Sequence, residues 1–159
     1  YMKETDEIIE GPKRLSMTEL AISHNPSFSC SDIEIKRGGN TYTYETLIRL
    51  REIYPYAELY FIMGADNLFH IAKWKNADMV MKNCKIIAAS RGEKSIDELQ
   101  MQADWLKETY HAYIILLPER KMDISSTEIR EKVFQNESIR YLTPDNVCDY
   151  IYKHKLYTK

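Results

Sequence analysis

Apolar and polar positions follow one another along this chain in two rhythms, one helical and one extended. Leu15, Leu20 and Ala21 follow Gly11-Pro12 at roughly helical spacing, which predicts a helix with proline in its first turn, stopped before Asn25-Pro26. Ile33 and Ile35 alternate with Asp32, Glu34 and Lys36, the period of a strand, which Arg37-Gly38-Gly39-Asn40 ends. Thr43 is placed to cap a second helix with Tyr44, Leu47, Ile48 and Arg51 on one side, ending at Tyr54-Pro55. Leu59-Tyr-Phe-Ile-Met63 is an almost wholly apolar run of the kind found in strands covered on both faces, and it breaks at Gly64. A helical stretch is expected after Asp66, through Trp74 to about Asn83. Lys85-Ile-Ile-Ala-Ala89 then reads as a buried strand that Arg91-Gly92 ends.

Ser95-Ile-Asp-Glu98 is a capping box, predicting a helix to about Tyr110 with Leu99, Trp105 and Leu106 inward. A strand from Tyr113 to Leu117 follows, then the polar loop Pro118-Glu-Arg-Lys-Met-Asp123. Ser125-Ser-Thr-Glu128 is a second capping box, opening a helix with Ile129 and Val133, and Thr143-Pro144 caps a last helix carrying Val147, Tyr150 and Ile151. The order α-β-α-β-α-β-α-β-α-α, without repeats or a low-complexity linker, argues for an α/β fold: a mostly parallel sheet, helices on both faces and right-handed crossovers.

Composition narrows the function classes. A chain of 159 residues suits one globular domain, and 44% hydrophobic with 29% charged residues excludes a disordered tail. The 22 Lys and Arg against 24 Asp and Glu leave a charge of −2, and no basic block tracks a phosphate backbone, so nucleic acid is not an expected partner. The longest apolar runs are strand-sized, so no membrane association is expected either, and Tyr1-Met-Lys-Glu lacks the succession of a signal peptide. Cys30, Cys84 and Cys148 suit a reducing cytoplasm and have no metal-ligand spacing. Only five glycines are present, few for a fold whose backbone must approach phosphates.

In open parallel sheets ligands gather beyond the carboxyl ends of the strands. That selects the loops at Gly38-Gly39-Asn40-Thr41-Tyr42-Thr43, Gly64-Ala65-Asp66, Arg91-Gly92 and Pro118 to Ser125. Two readings stand for each candidate. Ser125-Ser126-Thr127 is a helix cap or a phosphate cradle, in which free amides and the helix dipole meet an anion while Arg130 adds charge one turn in. Trp74, between Lys73 and Lys75, is core packing or a platform for an aromatic base. Asp66 is a cap or a ribose acceptor. No P-loop lysine motif occurs. The histidines at 24, 70, 111 and 154 are too scattered for a metal or a nucleophile's base.

Three ordered stretches carry a resemblance: Ile35-Lys-Arg-Gly-Gly-Asn-Thr-Tyr-Thr-Tyr-Glu-Thr46, Tyr60-Phe-Ile-Met-Gly-Ala-Asp66 with Lys73-Trp74, and Ile124-Ser-Ser-Thr-Glu-Ile-Arg130. Tyr141-Leu-Thr-Pro and Tyr150-Ile with Leu156-Tyr157 add to it. Together they resemble the bacterial nicotinate-nucleotide adenylyltransferases of the nucleotidyltransferase superfamily. The resemblance implies a Rossmann-like doubly wound parallel sheet, with residues 1–159 a single nucleotidyltransferase domain. It also implies adenylyl transfer from ATP, with Mg²⁺, to nicotinate mononucleotide, giving deamido-NAD and pyrophosphate in a cytoplasmic enzyme of NAD biosynthesis. The pyridine ring would stack on Trp74, beside Lys73, with its carboxylate held by backbone amides near Thr43 and His70. His70 departs from the tyrosine often found there. Gly64 and Asp66 would line adenosine and its ribose, Arg91 would lie near the nucleotide, and Ser125, Ser126 and Arg130 would hold the triphosphate.

The family opens with a strand, a glycine-rich turn bearing a His-x-Gly-His signature, a helix and a second strand. That first β-α-β portion is expected to be absent here, with the low glycine count as its mark and the catalytic residues unassigned. Two other readings remain: another superfamily transferase, such as one acting on phosphopantetheine, and a non-catalytic nucleotide-binding or interaction module. A homo-oligomer is left open.

Overall fold

The computed structural model describes residues 9–90, 94–118 and 124–158. Two compact units emerge, Tyr1–Gly38 with Asp123–Lys159, and Gly39–Met122.

The central unit is built on three parallel strands, β1 (Tyr60–Gly64), β2 (Lys85–Ala89) and β3 (Ile114–Leu117), lying side by side in chain order. Phe61 pairs with Ile86 and Ile86 with Ile114; Met63, Ala88 and Leu116 form the next such row. These two rows point into one core, which also takes Leu47 from helix α3 (Thr43–Ile53), Val80 and Met81 from α4 (Ala77–Asn83), and Leu99 and Leu106 from α5 (Ile96–Tyr110). Burial alternates along both strands: in β2 Ile86 and Ala88 are buried and the residues between them half-buried, close to the buried character its sequence predicts, whereas in β1 the second face is open and Ile62 is 69% exposed.

The expected helix after Asp66 is replaced by two 3₁₀ turns, Ala65–Phe69 and Ile71–Lys73, before α4 begins. Their i→i+3 bonds include His70 N to Asn67 O (3.0 Å) and Trp74 N to Ile71 O (3.0 Å). The apolar residues explain the change: Ala65, Leu68 and Ile71 are buried at a strict three-residue interval, and Trp74 continues it half-buried, so the pattern matches 3.0 rather than 3.6 residues per turn. Asn76, left-handed at φ 51°, then turns the chain into α4. In α5 both halves of the Ser95–Glu98 capping box form, as predicted. Its inner face uses Ala103; Trp105 is 45% exposed and meets Tyr110 edge-on.

The other unit contains α1 (Gly11–Ile22), α2 (Ile33–Arg37), α6 (Ser126–Phe134) and α7 (Asp145–Lys153). Here the expected strand at Ile33 to Lys36 is a short helix. Five alternating residues are too few to separate the two periods, and the decisive contacts are helical: Lys36 Nζ pairs with Asp32 at 3.0 Å, one turn apart, and Gly38 at φ 67° ends the helix. Ile35 packs on Gly11, where a Cβ would lie 3.2 Å from Ile35 Cγ1. A second core gathers Val133, Ile139, Val147, Cys148, Ile151 and Leu156, while Asn146 Nδ2 donates to Leu20 O at 2.7 Å, tying α7 to α1. No described helix is long and apolar enough to cross a membrane.

Candidate active site

The candidate residues of the central unit sit on two segments. One leaves the carboxyl end of β1, where the strand passes directly into the first 3₁₀ turn. Gly64 closes the strand, and a Cβ there would lie 2.6 Å from Asp66 Oδ1. The missing side chain is therefore what lets the Asp66 carboxylate fold back over the strand end. Asp66 does not cap: the capping position is Gly64, and Asp66 makes no hydrogen bond or ion pair with a described residue. His70 joins the two 3₁₀ turns and is exposed, as is Lys73. Neither side chain has a partner among the described residues.

Trp74 ends this segment. Its ring packs edge-on against Phe61 of β1 at 6.0 Å and lies half-buried on the core. Core packing therefore accounts for part of the indole, and the rest of this half-buried side chain reaches the surface.

The second segment is the start of α3. Thr43 is not the cap, as expected from its sequence, but the first helical residue; Tyr42 holds the capping position, and its extended backbone makes no side-chain cap bond. Its carbonyl accepts from Glu45 N (3.0 Å) and Thr46 N (3.3 Å). The first amides of a helix have no partner within it, so those of Thr43 and Tyr44 are available to an acceptor. Tyr44 donates to Glu45 at 2.9 Å, and this bond, more than burial, raises its pKa.

The two segments meet. Lys75 Nζ lies 4.0 Å above the ring of Tyr42, and Tyr42 packs on Tyr44 at 6.2 Å. The sequence singles out Lys75 as a lysine flanking Trp74 and Tyr42 as part of a candidate loop, but nothing in the local spacing shows that the two touch. The loop at Gly38 to Thr43 was selected as the end of a strand; it follows helix α2 instead.

In the other unit, Ser125 caps α6 by accepting from Glu128 N at 3.1 Å. Among the described residues only this half of the second capping box forms. Ser126 is the first helical residue and is exposed, and Arg130 Nη2 donates to Thr127 Oγ1 at 3.2 Å. Arg91 lies outside the described residues. No group of three or more His, Cys, Asp or Glu among the described residues is placed to hold a metal ion.

A cavity of about 620 Å³ opens at the opposite end of the sheet, beside Arg51, Glu58, Lys82, Lys85 and Tyr113. Three of its charged groups are engaged by the fold itself. Lys85 pairs with Glu58 and lies 4.7 Å from the Tyr113 ring, and Arg51 donates to the carbonyls of Asn83 and Ala57. The Glu58 hydrogen bond is the main cause of the raised Lys85 pKa, and the Lys85 bond is the main cause of the lowered Glu58 pKa. Burial pushes the nearby Cys84 thiol up to about 11, so it is no nucleophile at neutral pH.

Parallel strands joined by helices, with amides and unpartnered polar side chains gathered at one end, are the framework of a nucleotidyltransferase. The cytidylyltransferase-like family matches residues 2–132, and the chain belongs to it. Within that family its near relatives are bacterial nicotinate-nucleotide adenylyltransferases, the group its motifs resemble. It is 45% identical over 155 residues to the "Probable nicotinate-nucleotide adenylyltransferase" of Lachnoclostridium phytofermentans, covering 98% of this chain and 78% of that one. It is 41% identical to the protein of the same name from Clostridium tetani, covering 91% of this chain and 72% of the relative. Among solved structures, Plasmodium falciparum nicotinic acid mononucleotide adenylyltransferase complexed with NaAD superposes with a TM-score of 0.73 at 22% identity, covering 98% of this chain and 78% of that one. The same enzyme complexed with APC gives 0.71 at 23%, over 94% and 77%. At these identities the structural likeness speaks for the fold.

Proposed function

We propose that this protein is a nicotinate-nucleotide adenylyltransferase, transferring the adenylyl group of ATP to nicotinate mononucleotide in NAD biosynthesis. The observation that carries the reading is the 45% identity across 98% of the chain to a relative of that name. The nucleotide phosphate attacks the α-phosphorus of ATP, one P–O bond forms as the bond to the β-phosphate bridge breaks, and pyrophosphate leaves with the electron pair. No protein nucleophile is needed; positioning and charge neutralisation carry the rate.

In this reading the pyridine ring stacks on the accessible part of Trp74, and its carboxylate meets amides near Thr43 and His70, with Lys73 contributing positive charge. Gly64 and Asp66 serve adenosine and its ribose. At the start of α6, Ser126, free amides and Arg130 serve the phosphates, while Ser125 both caps the helix and contributes its hydroxyl. Arg91 keeps its assignment near the nucleotide. Mg²⁺ would enter on the triphosphate of ATP as part of that substrate. Residues 1–159 acting as one domain, in the cytoplasm, belong to the same proposal.

Calorimetric titration tests it. Nicotinate mononucleotide binds saturably while phosphopantetheine does not, and the protein expressed from its own full coding sequence releases pyrophosphate from ATP only when the nicotinate nucleotide is present. Binding of phosphopantetheine with no binding of nicotinate mononucleotide would overturn the reading.

A further inference from the structure

We infer that Lys75 is a positioning residue for nicotinate recognition, holding the start of α3 against the Trp74 segment through the ring of Tyr42. The inference rests on the proposed placement of the pyridine ring beside Trp74 and the α3 amides.

One contact joins these segments: the ammonium of Lys75 lies 4.0 Å from the centroid of the Tyr42 ring, within the range where a cation is attracted to the negative face of an aromatic ring. Tyr42 in turn packs on Tyr44, their ring centroids 6.2 Å apart, and Tyr44 is held by its hydrogen bond to Glu45, so the contact bears on an aromatic pair already fixed on α3.

The consequence follows from chain position. Tyr42 is the residue from which α3 starts, and its carbonyl takes the first helical bonds, so fixing its ring fixes the direction of the amides of Thr43 and Tyr44. Lys75 follows Trp74 directly, and the left-handed Asn76 follows Lys75, so the same contact fixes the backbone on which the indole is mounted. The indole itself is held against the core by the ring of Phe61, 6.0 Å away. An aromatic ring bound between the indole and the amides needs a defined gap, and small displacements of a binding group cost affinity disproportionately. Lys75 sets that gap without touching the ligand.

Dissociation constants for nicotinate mononucleotide, nicotinamide mononucleotide and ATP, measured by calorimetry on the full chain, test this. Lys75→Met is an exposed substitution that leaves the fold intact. It is expected to weaken both pyridine nucleotides by about three-fold while leaving ATP unchanged. Tyr42→Leu gives a similar loss, Lys75→Arg restores most of the affinity, and the double variant Tyr42→Leu/Lys75→Met is no worse than either single one. If Lys75→Met abolishes the preference between nicotinate and nicotinamide while Tyr42→Leu is silent, the ammonium contacts the substrate carboxylate itself and the positioning role is overturned. No effect of Lys75→Met where Trp74→Ala weakens binding overturns the inference alone. A silent Trp74→Ala overturns the proposed stacking site and this inference with it.

Discussion

The two ends of the three-stranded sheet use the same kinds of side chain to different purposes. At the amino ends, Lys85 is surrounded by Glu58, Tyr60 and Tyr113, and Arg51 gives its donors to Asn83 and Ala57. At the carboxyl end of β1, Asp66, His70 and Lys73 point away from the core with no partner among the described residues, beside a half-buried indole. The contrast lies in how charge is used: at the amino ends Lys85, Glu58 and Arg51 are spent on holding the fold together, whereas beyond β1 the polar groups stand beside a half-buried indole on a rigid support.

The largest expected effect is at the indole. Trp74→Ala should weaken nicotinate mononucleotide by roughly 1–3 kcal/mol, the range for loss of one stacked base, and ATP far less; an equal loss for both would erase the distinction drawn for this end. Next comes Gly64→Ala. The added methyl would displace the Asp66 carboxylate, 2.6 Å from its position, and because that group ends a flexible side chain the fold adapts. ATP affinity should fall by about 1.5 kcal/mol, as for a lost hydrogen bond to a charged group, and Asp66→Ala should add nothing to it.

The two helix caps sharpen the comparison further. Ser95→Ala and Ser125→Ala should each cost about 1 kcal/mol of stability in urea unfolding, yet only Ser125→Ala should also weaken ATP. The Ser95 cap carries a pH signature. Hydrogen bonds from the Ser95 backbone and hydroxyl hold the Glu98 carboxyl below its ordinary pKa. Its stabilisation is therefore complete above the unfolded carboxyl's pKa and is lost as pH falls through the lower folded value. Ser95→Ala should flatten that part of the acid unfolding curve. The smallest effect is at the amino end, where Lys85→Met should lower the melting temperature slightly and leave both nucleotide affinities unchanged.

What the sequence made legible was local. β2 and the Ser95–Glu98 box depend on neighbouring residues, and both were readable. The Ile33 segment was misread because its helix depends on Asp32–Lys36 pairing and on Ile35 meeting Gly11, a contact between distant positions. The three-residue spacing of Ala65, Leu68, Ile71 and Trp74 was present but was taken for a loose helical period. That Tyr42, rather than Thr43, holds the capping position of α3, and that Lys75 reaches it, is geometry that no local spacing encodes.

The central claim is that the carboxyl end of β1, not the cavity at the other end, receives the pyridine nucleotide. The chain has two tryptophans, Trp74 at that end and Trp105 on α5, each with an indole N–H resonance. Titration of ¹⁵N-labelled protein with nicotinate mononucleotide should shift the Trp74 resonance saturably and leave Trp105 in place. Movement of the Lys85 and Tyr113 amides with a stationary Trp74 would contradict the account.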